Sequence, residues 1–189
     1  SLFKNLSFSV TPKSRFGIMG PNGSGKSTLL KCLLGNIKPK SGQIRKAGRV
    51  VCGILDQHRT GLNAENTVFE EAGGGNDYVK VGEQFVHVAG FLNRFLFGRE
   101  QLDQLVGALS GGERARLLLS KLILSGANLL ILDEPTNDLD LQTLRALEEA
   151  LIDFQGAVIM VTHDRAFLDR VSTSVLSFEG DGAVVEYAS

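Results

Sequence analysis

Apolar runs of four or five residues that end abruptly in glycine or polar residues recur along this chain, with helix-period stretches between them. Phe16-Gly17-Ile18-Met19, Leu129-Leu130-Ile131-Leu132 and Ala157-Val158-Ile159-Met160-Val161 do not alternate with polar residues and are short for helices, so they read as strands buried on both faces. A fourth strand, over 49–55, ends at Asp56-Gln57-His58-Arg59. Helices are predicted over 29–34, closed by Gly35, and over 110–121, 141–154 and 165–171. Residues 6–10 alternate and predict a strand, 11–14 a turn, and Pro39-Lys40-Ser41-Gly42 a turn into a short strand at 43–45. Gly180-Asp181-Gly182 predicts a hairpin between 175–178 and 184–187. Between 60 and 108 the pattern changes. Gly73-Gly74-Gly75-Asn76-Asp77 is a flexible break, and Val81, Phe85, Val88, Leu92 and Phe95 share one helical face, which predicts a helical insertion. Strands alternating with helices make this an α/β chain with a mostly parallel sheet, helices on both faces and a few short antiparallel strands.

Composition narrows the class. With 189 residues, 43% hydrophobic and 22% charged, the chain suits one domain with a substantial core. A net charge of −1 advertises neither a nucleic-acid nor a membrane partner, and no apolar run approaches a membrane span. The first residues are not a signal peptide. Cys32 and Cys52 have no CxxC spacing and read as reduced core residues, so a reducing, cytoplasmic location is expected.

The chemistry starts at Gly20-Pro21-Asn22-Gly23-Ser24-Gly25-Lys26-Ser27-Thr28, which fits G-x-x-x-x-G-K-[ST] between a predicted strand and a predicted helix. Glycines let consecutive N–H groups turn inward toward phosphate oxygens, and the helix N-terminus adds its own unpaired donors. Lys26 is then expected on the β- and γ-phosphates and Ser27 on Mg²⁺. Ligands of open parallel sheets sit beyond the carboxyl ends of the strands, so the residues that follow the other runs belong to the same site. Asp133 is expected to hold Mg²⁺, and Glu134, with no metal role left, to polarise an attacking water. His163 is expected to contact the γ-phosphate and orient Glu134. The amide of Gln57 suits Mg²⁺ and the water together. His58 and His87 read as surface or helix residues.

Leu109-Ser110-Gly111-Gly112-Glu113 begins a helix and so supplies a second anion-binding terminus, one more than a single nucleotide needs. With this stretch the chain resembles a P-loop NTPase of the ATP-binding cassette (ABC) type. The resemblance covers Walker A at 20–28, the Q-loop at Gln57, the signature at 109–113, Walker B at 129–133, the catalytic Glu134, the D-loop at 138–140 and the switch His163. Arg114-Ala115-Arg116-Leu117 after the signature, Asp133-Glu134-Pro135-Thr136-Asn137-Asp138-Leu139-Asp140, and His163-Asp164-Arg165-Ala166-Phe167-Leu168-Asp169 resemble the ABC-F group, tandem-cassette ATPases that act on or near the ribosome. His87-Val88-Ala89-Gly90-Phe91-Leu92 with Phe95-Leu96-Phe97 is similar to the second cassette of the Uup branch.

The resemblance implies one nucleotide-binding domain over 1–189 with a helical subdomain about 60–125, ATP and Mg²⁺ as ligands, and Ser27, Gln57 and Asp133 on the metal. It also implies a second cassette, closing head to tail so that Ser110, Gly111, Gly112 and Glu113 serve the partner's ATP. The ribosome is the expected wider partner, with nucleic-acid contacts assigned to parts of the protein outside this chain and no membrane insertion. A cassette normally carries a further strand and an adenine-stacking aromatic upstream of Walker A. This chain opens at Ser1, in mid-element, which predicts an N-terminally truncated piece of a longer protein. The competing class is the nucleotide-binding subunit of a membrane transporter, whose groove near Gln57 would receive a helix of the membrane domain. A second LSGGE cassette in the neighbouring coding sequence would favour ABC-F, and membrane spans there the transporter. A DNA-repair ATPase head would carry a long coiled-coil insertion, and this chain has none.

Overall fold

The elements follow in the order β1 (Arg15–Met19), α1 (Lys26–Leu33), β2 (Cys52–Leu55), α2 (Val68–Gly73), β3 (Tyr78–Val81), β4 (Gln84–His87), α3 (Val88–Arg94), α4 (Gly111–Leu124), β5 (Leu129–Asp133), α5 (Leu141–Asp153), β6 (Ala157–Val161), α6 (Arg165–Val171), β7 (Ser174–Phe178) and β8 (Val184–Ala188). This computed structural model describes residues 2–188; Ser1 and Ser189 lie outside the described residues. The main sheet has the order β2-β5-β6-β1-β7-β8, parallel throughout except for the antiparallel β7–β8 hairpin.

Alternation along the central strands divides their side chains between two cores. Leu130, Leu132, Val158 and Met160 join residues of α4, α5 and α6, whereas Ile131, Ile159, Val161 and Ile18 join Leu29 and Leu30 of α1. Both faces are therefore covered, which is why these runs are apolar throughout. The buried Arg15 fastens β1 to the end of α5. Its guanidinium donates to the carbonyls of Leu151 (2.8 Å), Gly156 (2.7 Å) and Phe154, giving acceptors at the helix C-terminus the partners they would otherwise lack. Gly156 allows the turn between them, since a Cβ there would lie 2.2 Å from the Asn128 carbonyl oxygen.

Four expectations need correction. Residues 6–10 form no strand: both edges of β1 are taken by β6 and β7, and Leu6, Phe8 and Val10 instead pack on the α1-side core, with the Phe8 and Phe16 rings 5.4 Å apart. Residues 43–45 are exposed and unpaired as a strand, and β2 begins only at Cys52. As the outer strand of the sheet, β2 buries Gly53 and Leu55 but exposes Cys52 and Ile54, so only Cys32 is a core cysteine. The residues from Val81 to Phe95 are not one helix. Gly82, at φ 61°, turns the chain between β3 and β4, and helix begins only at Val88. Val79, Val81 and Val86 pack on the core while Phe85 is 74% exposed, a period of two that coincides with helical spacing at 81, 85 and 88. His87 caps α3, its Nδ1 accepting from the Gly90 N–H at 3.2 Å. Among the described residues no helix is long and apolar enough to cross a membrane.

One ion pair ties α2 to α4. The Glu71 carboxylate, 3% exposed, accepts from Lys121 Nζ at 2.6 Å and from Asn66 Nδ2 at 2.7 Å, and Lys121 also donates to the Gly61 carbonyl. Burial works against the charge of Glu71, but the hydrogen bonds from Lys121 and Asn66 prevail and hold its carboxyl below the usual glutamate range. A depressed folded pKa contributes stability that is complete above the unfolded pKa and is lost as pH falls through the folded one. Glu71→Gln is expected to cost about 1–3 kcal/mol at pH 7 in urea unfolding. Its stability should also fall less steeply than the parent's on acidification below the ordinary glutamate pKa.

Candidate nucleotide site

The strand order puts β2, β5, β6 and β1 side by side and parallel, so four loops leave the sheet at one edge. They carry Gln57 after β2, Asp133 and Glu134 at the end of β5, His163 after β6, and Gly20 after β1. The expected gathering of these residues follows from the ladder register, in which Ile18 pairs with Val161 and Asp133 with Val161.

The loop from Gly20 to α1 turns where only glycine fits. Gly20 has φ 149°, and a Cβ there would lie 2.7 Å from both the Cβ and the carbonyl oxygen of Phe178. Gly25, at φ 111°, opens α1 without any side-chain cap, so the first N–H groups of the helix have no side-chain acceptor there. Lys26 is buried and its Nζ donates back to the Gly20 carbonyl, closing the loop around its own ammonium. Ser24 Oγ is buried without a hydrogen-bond partner. An uncapped helix start, an enclosed ammonium and an orphaned hydroxyl together fit an anionic ligand such as a phosphate chain. Pro21, Asn22, Gly23 and Ser27 are exposed and Thr28 is half-buried.

Acidic groups face this loop. Burial raises the Asp133 carboxyl above the usual range, the neighbouring Asp56 carboxylate adds to the rise, and the Lys26 ammonium opposes it. Burial also works against the charge of Asp56, but hydrogen bonds from the Thr60 hydroxyl and N–H (the latter 2.8 Å) keep its carboxyl low. Among the described residues no group of three or more His, Cys, Asp or Glu could hold a metal alone. The Asp133 carboxylate, the Ser27 hydroxyl and the Gln57 amide oxygen are hard oxygens of the kind that suits Mg²⁺.

Glu134 has φ 47°, and its N–H donates to the Val161 carbonyl at 2.7 Å, across to β6. Its Oε1 lies 3.5 Å from His163 Nε2, with the glutamate side chain 16% and the histidine 59% exposed. The flanks of His163 are fixed: Asp164 N–H donates to Thr162 Oγ1, and Asp164 Oδ1 caps α6 through the Phe167 N–H. Gln57 reaches the same edge in an exposed turn.

Ser110, Gly111, Gly112 and Glu113 lie elsewhere. They start α4 as a reciprocal cap, in which Ser110 Oγ accepts from the Glu113 N–H at 3.2 Å and the Glu113 carboxylate from the Ser110 N–H at 2.8 Å. Their neighbours are Leu139 and Thr143, near Gly112, and no described hydrogen bond joins them to the 20–28 loop. Two residues escaped the sequence reading. Asp56 lies next to Asp133, and Arg59 Nη2 donates to the Asn137 carbonyl at 2.7 Å. The polar cluster after β2 was visible in the sequence, but the contacts of Asp56 with Asp133 and of Arg59 with Asn137 span 77 and 78 positions.

A family model described as ABC transporter matches residues 3–137. The chain is 44% identical over 187 residues to the ATP-binding protein Uup-like of Haemophilus influenzae, covering 99% of this chain and 41% of that protein. It is 45% identical over 183 residues to the energy-dependent translational throttle protein EttA of Escherichia coli K12, covering 97% of this chain and 33% of that protein. It thus spans less than half the length of these relatives. Among solved structures, cbiO1 of Clostridium perfringens, part of an ABC transporter complex, superposes with a TM-score of 0.78 at 23% identity, over 99% of this chain and 82% of that one, which speaks for the fold. With the family model matched over most of its length, the chain belongs to the ABC transporter family.

Proposed function

We propose that this chain is an ATP-hydrolysing cassette of the ABC-F type whose product is motion: ATP closes two cassettes head to tail and hydrolysis lets them open. The observation that supports this most is the convergence of four parallel strand ends on one edge, each delivering a group with a separate task. Backbone N–H groups of 20–28 and the Lys26 ammonium bind the β- and γ-phosphates. Ser27, Gln57 and Asp133 hold Mg²⁺, which when bound neutralises charge on the phosphate oxygens. Glu134 takes a proton from water as its oxygen attacks the γ-phosphorus and the bond to the leaving ADP oxygen breaks, giving ADP and phosphate. His163 contacts the γ-phosphate and keeps Glu134 in place.

The signature helix start serves the other cassette. Ser110 and Gly111 are exposed, Gly112 and Glu113 half-buried, and no described hydrogen bond joins them to the chain's own phosphate loop, which supports their serving a partner's nucleotide. Loss of the γ-phosphate removes that contact and releases the pair. One relative of similar sequence is named a translational throttle. That supports placing this cassette on the ribosome, in the cytoplasm, as part of a longer polypeptide.

Lys26→Ala removes the charge-assisted contact to the phosphates and is expected to weaken ATP binding by about 1.5–3 kcal/mol. Equal affinity of mutant and parent in calorimetric titration would sink the loop assignment.

The shared site makes the specific ATPase activity of the isolated chain rise with its concentration. Glu134→Gln should accumulate closed pairs with ATP, and Ser110→Arg should prevent closure by putting bulk and charge at the γ-phosphate contact. Mixing the two inactive variants leaves one composite site intact and restores part of the activity. Concentration-independent activity that Ser110→Arg leaves unchanged would rule out the shared site.

Placement on the ribosome is read by sedimentation. The full-length Glu134→Gln protein should pellet with ribosomes only when ATP is present. Co-purification with membranes and no ribosome association would replace this reading with a transporter subunit.

A further inference from the structure

The β2–β5 ladder ends at the pair Leu55 and Leu132, so backbone pairing no longer holds the two chains together beyond it. Each then makes a turn that carries a candidate catalytic group. After β2, the Arg59 N–H donates to the Asp56 carbonyl at 3.1 Å, closing a turn with Gln57 inside it. After β5, the Asn137 N–H lies 3.4 Å from the Glu134 carbonyl, closing a turn that starts at Glu134. Arg59 Nη2 donates to the Asn137 carbonyl at 2.7 Å, and among the described hydrogen bonds this is the one that joins the two turns. The closing residue of one turn is thus bonded to the closing residue of the other.

The backbone around this bond is constrained. Arg59 sits at φ 52°, Glu134 at 47° and Asp138 at 59°, all in the left-handed region that glycine adopts most readily. Glycine at position 59 would close the same turn but could not reach Asn137. The turn after β2 is also closed by the hydrogen bonds of Thr60 to Asp56, but these stay within the turn, which leaves the Arg59 side chain as the described hydrogen bond that ties it to the Glu134 turn.

We propose that Arg59 is a positioning residue that couples the Gln57 turn to the Glu134 turn. It sets the spacing of these two groups around the attacking water and passes a shift of Gln57 on to the 138–140 loop. The proposal rests on the reading of Gln57 and Glu134 given above. Arg59 acts through those groups and touches no reacting atom.

The test uses Arg59→Gly, which removes the side chain while relaxing the turn, beside Arg59→Lys, which keeps one donor and the charge. At saturating ATP and Mg²⁺, Arg59→Gly should lower kcat about 10- to 100-fold, the scale on which misplaced groups lose rate, with KM for ATP within about twofold of the parent. Arg59→Lys should recover part of that loss. Backbone amides in 134–140 should exchange hydrogen faster in Arg59→Gly, while the melting temperature stays near that of the parent. Because the effect runs through Glu134, adding Arg59→Gly to Glu134→Gln should not lower the residual rate further. An unchanged kcat in Arg59→Gly, unchanged exchange in 134–140, or losses that multiply in the double variant overturns the proposal. If Glu134→Gln is as active as the parent, the reading of Glu134 falls and the proposal with it. An inactive Glu134→Gln beside a fully active Arg59→Gly overturns the proposal alone.

Discussion

Backbone hydrogen bonds hold β2, β5, β6 and β1 parallel and in register, and the position of every candidate side chain depends on that ladder. A parallel pair needs a long crossover, and the crossovers here are helices that bury both faces of the sheet. The loops at the carboxyl edge are thereby left free to carry polar groups without exposing the core. Arg15 reinforces the arrangement from the opposite edge by binding the carbonyls that end α5. The strand that leads into the phosphate-type loop and the helix that follows the Asp138-Leu139-Asp140 stretch are therefore fastened to each other.

Opposite charges meet at the edge under partial burial. Asp133 is pushed toward its protonated form by burial and by Asp56, and the Lys26 ammonium pulls the other way. A bound cation would ease the repulsion between the two carboxylates, and a phosphate chain would draw the Lys26 ammonium off the Gly20 carbonyl that it now binds. The electrostatics thus suit a ligand carrying both an anion and a divalent metal better than either one alone.

The signature helix is linked to the strand-end loops through side chains. Lys121 of α4 bonds both Glu71 on α2 and the Gly61 carbonyl downstream of Gln57, while Gly112 in the first turn of α4 lies near Leu139 and Thr143. Movement of the loop after β2 would be felt at the helix that presents Ser110.

The sequence by itself determined the three buried runs, the glycine loop, the Ser110 helix start and the polar residue at each strand end, because all of these are local: a turn needs its glycines, a cap needs its hydroxyl, and a strand covered on both faces must be apolar throughout. β6 and α6 have the predicted bounds for that reason. Only the tertiary structure decided which alternating segments become strands. Residues 6–10 alternate but find both edges of β1 occupied, and Val81 and Phe85, helically spaced with Val88, belong to a hairpin because Gly82 lets the chain reverse and Val79, Val81 and Val86 share one core. Strand order, the meeting of Asp56 with Asp133 and the bond from Arg59 to Asn137 were equally out of reach of sequence. Their partners lie 77 or 78 positions apart, and such contacts are fixed by how the helices pack the strands together, which no local pattern encodes.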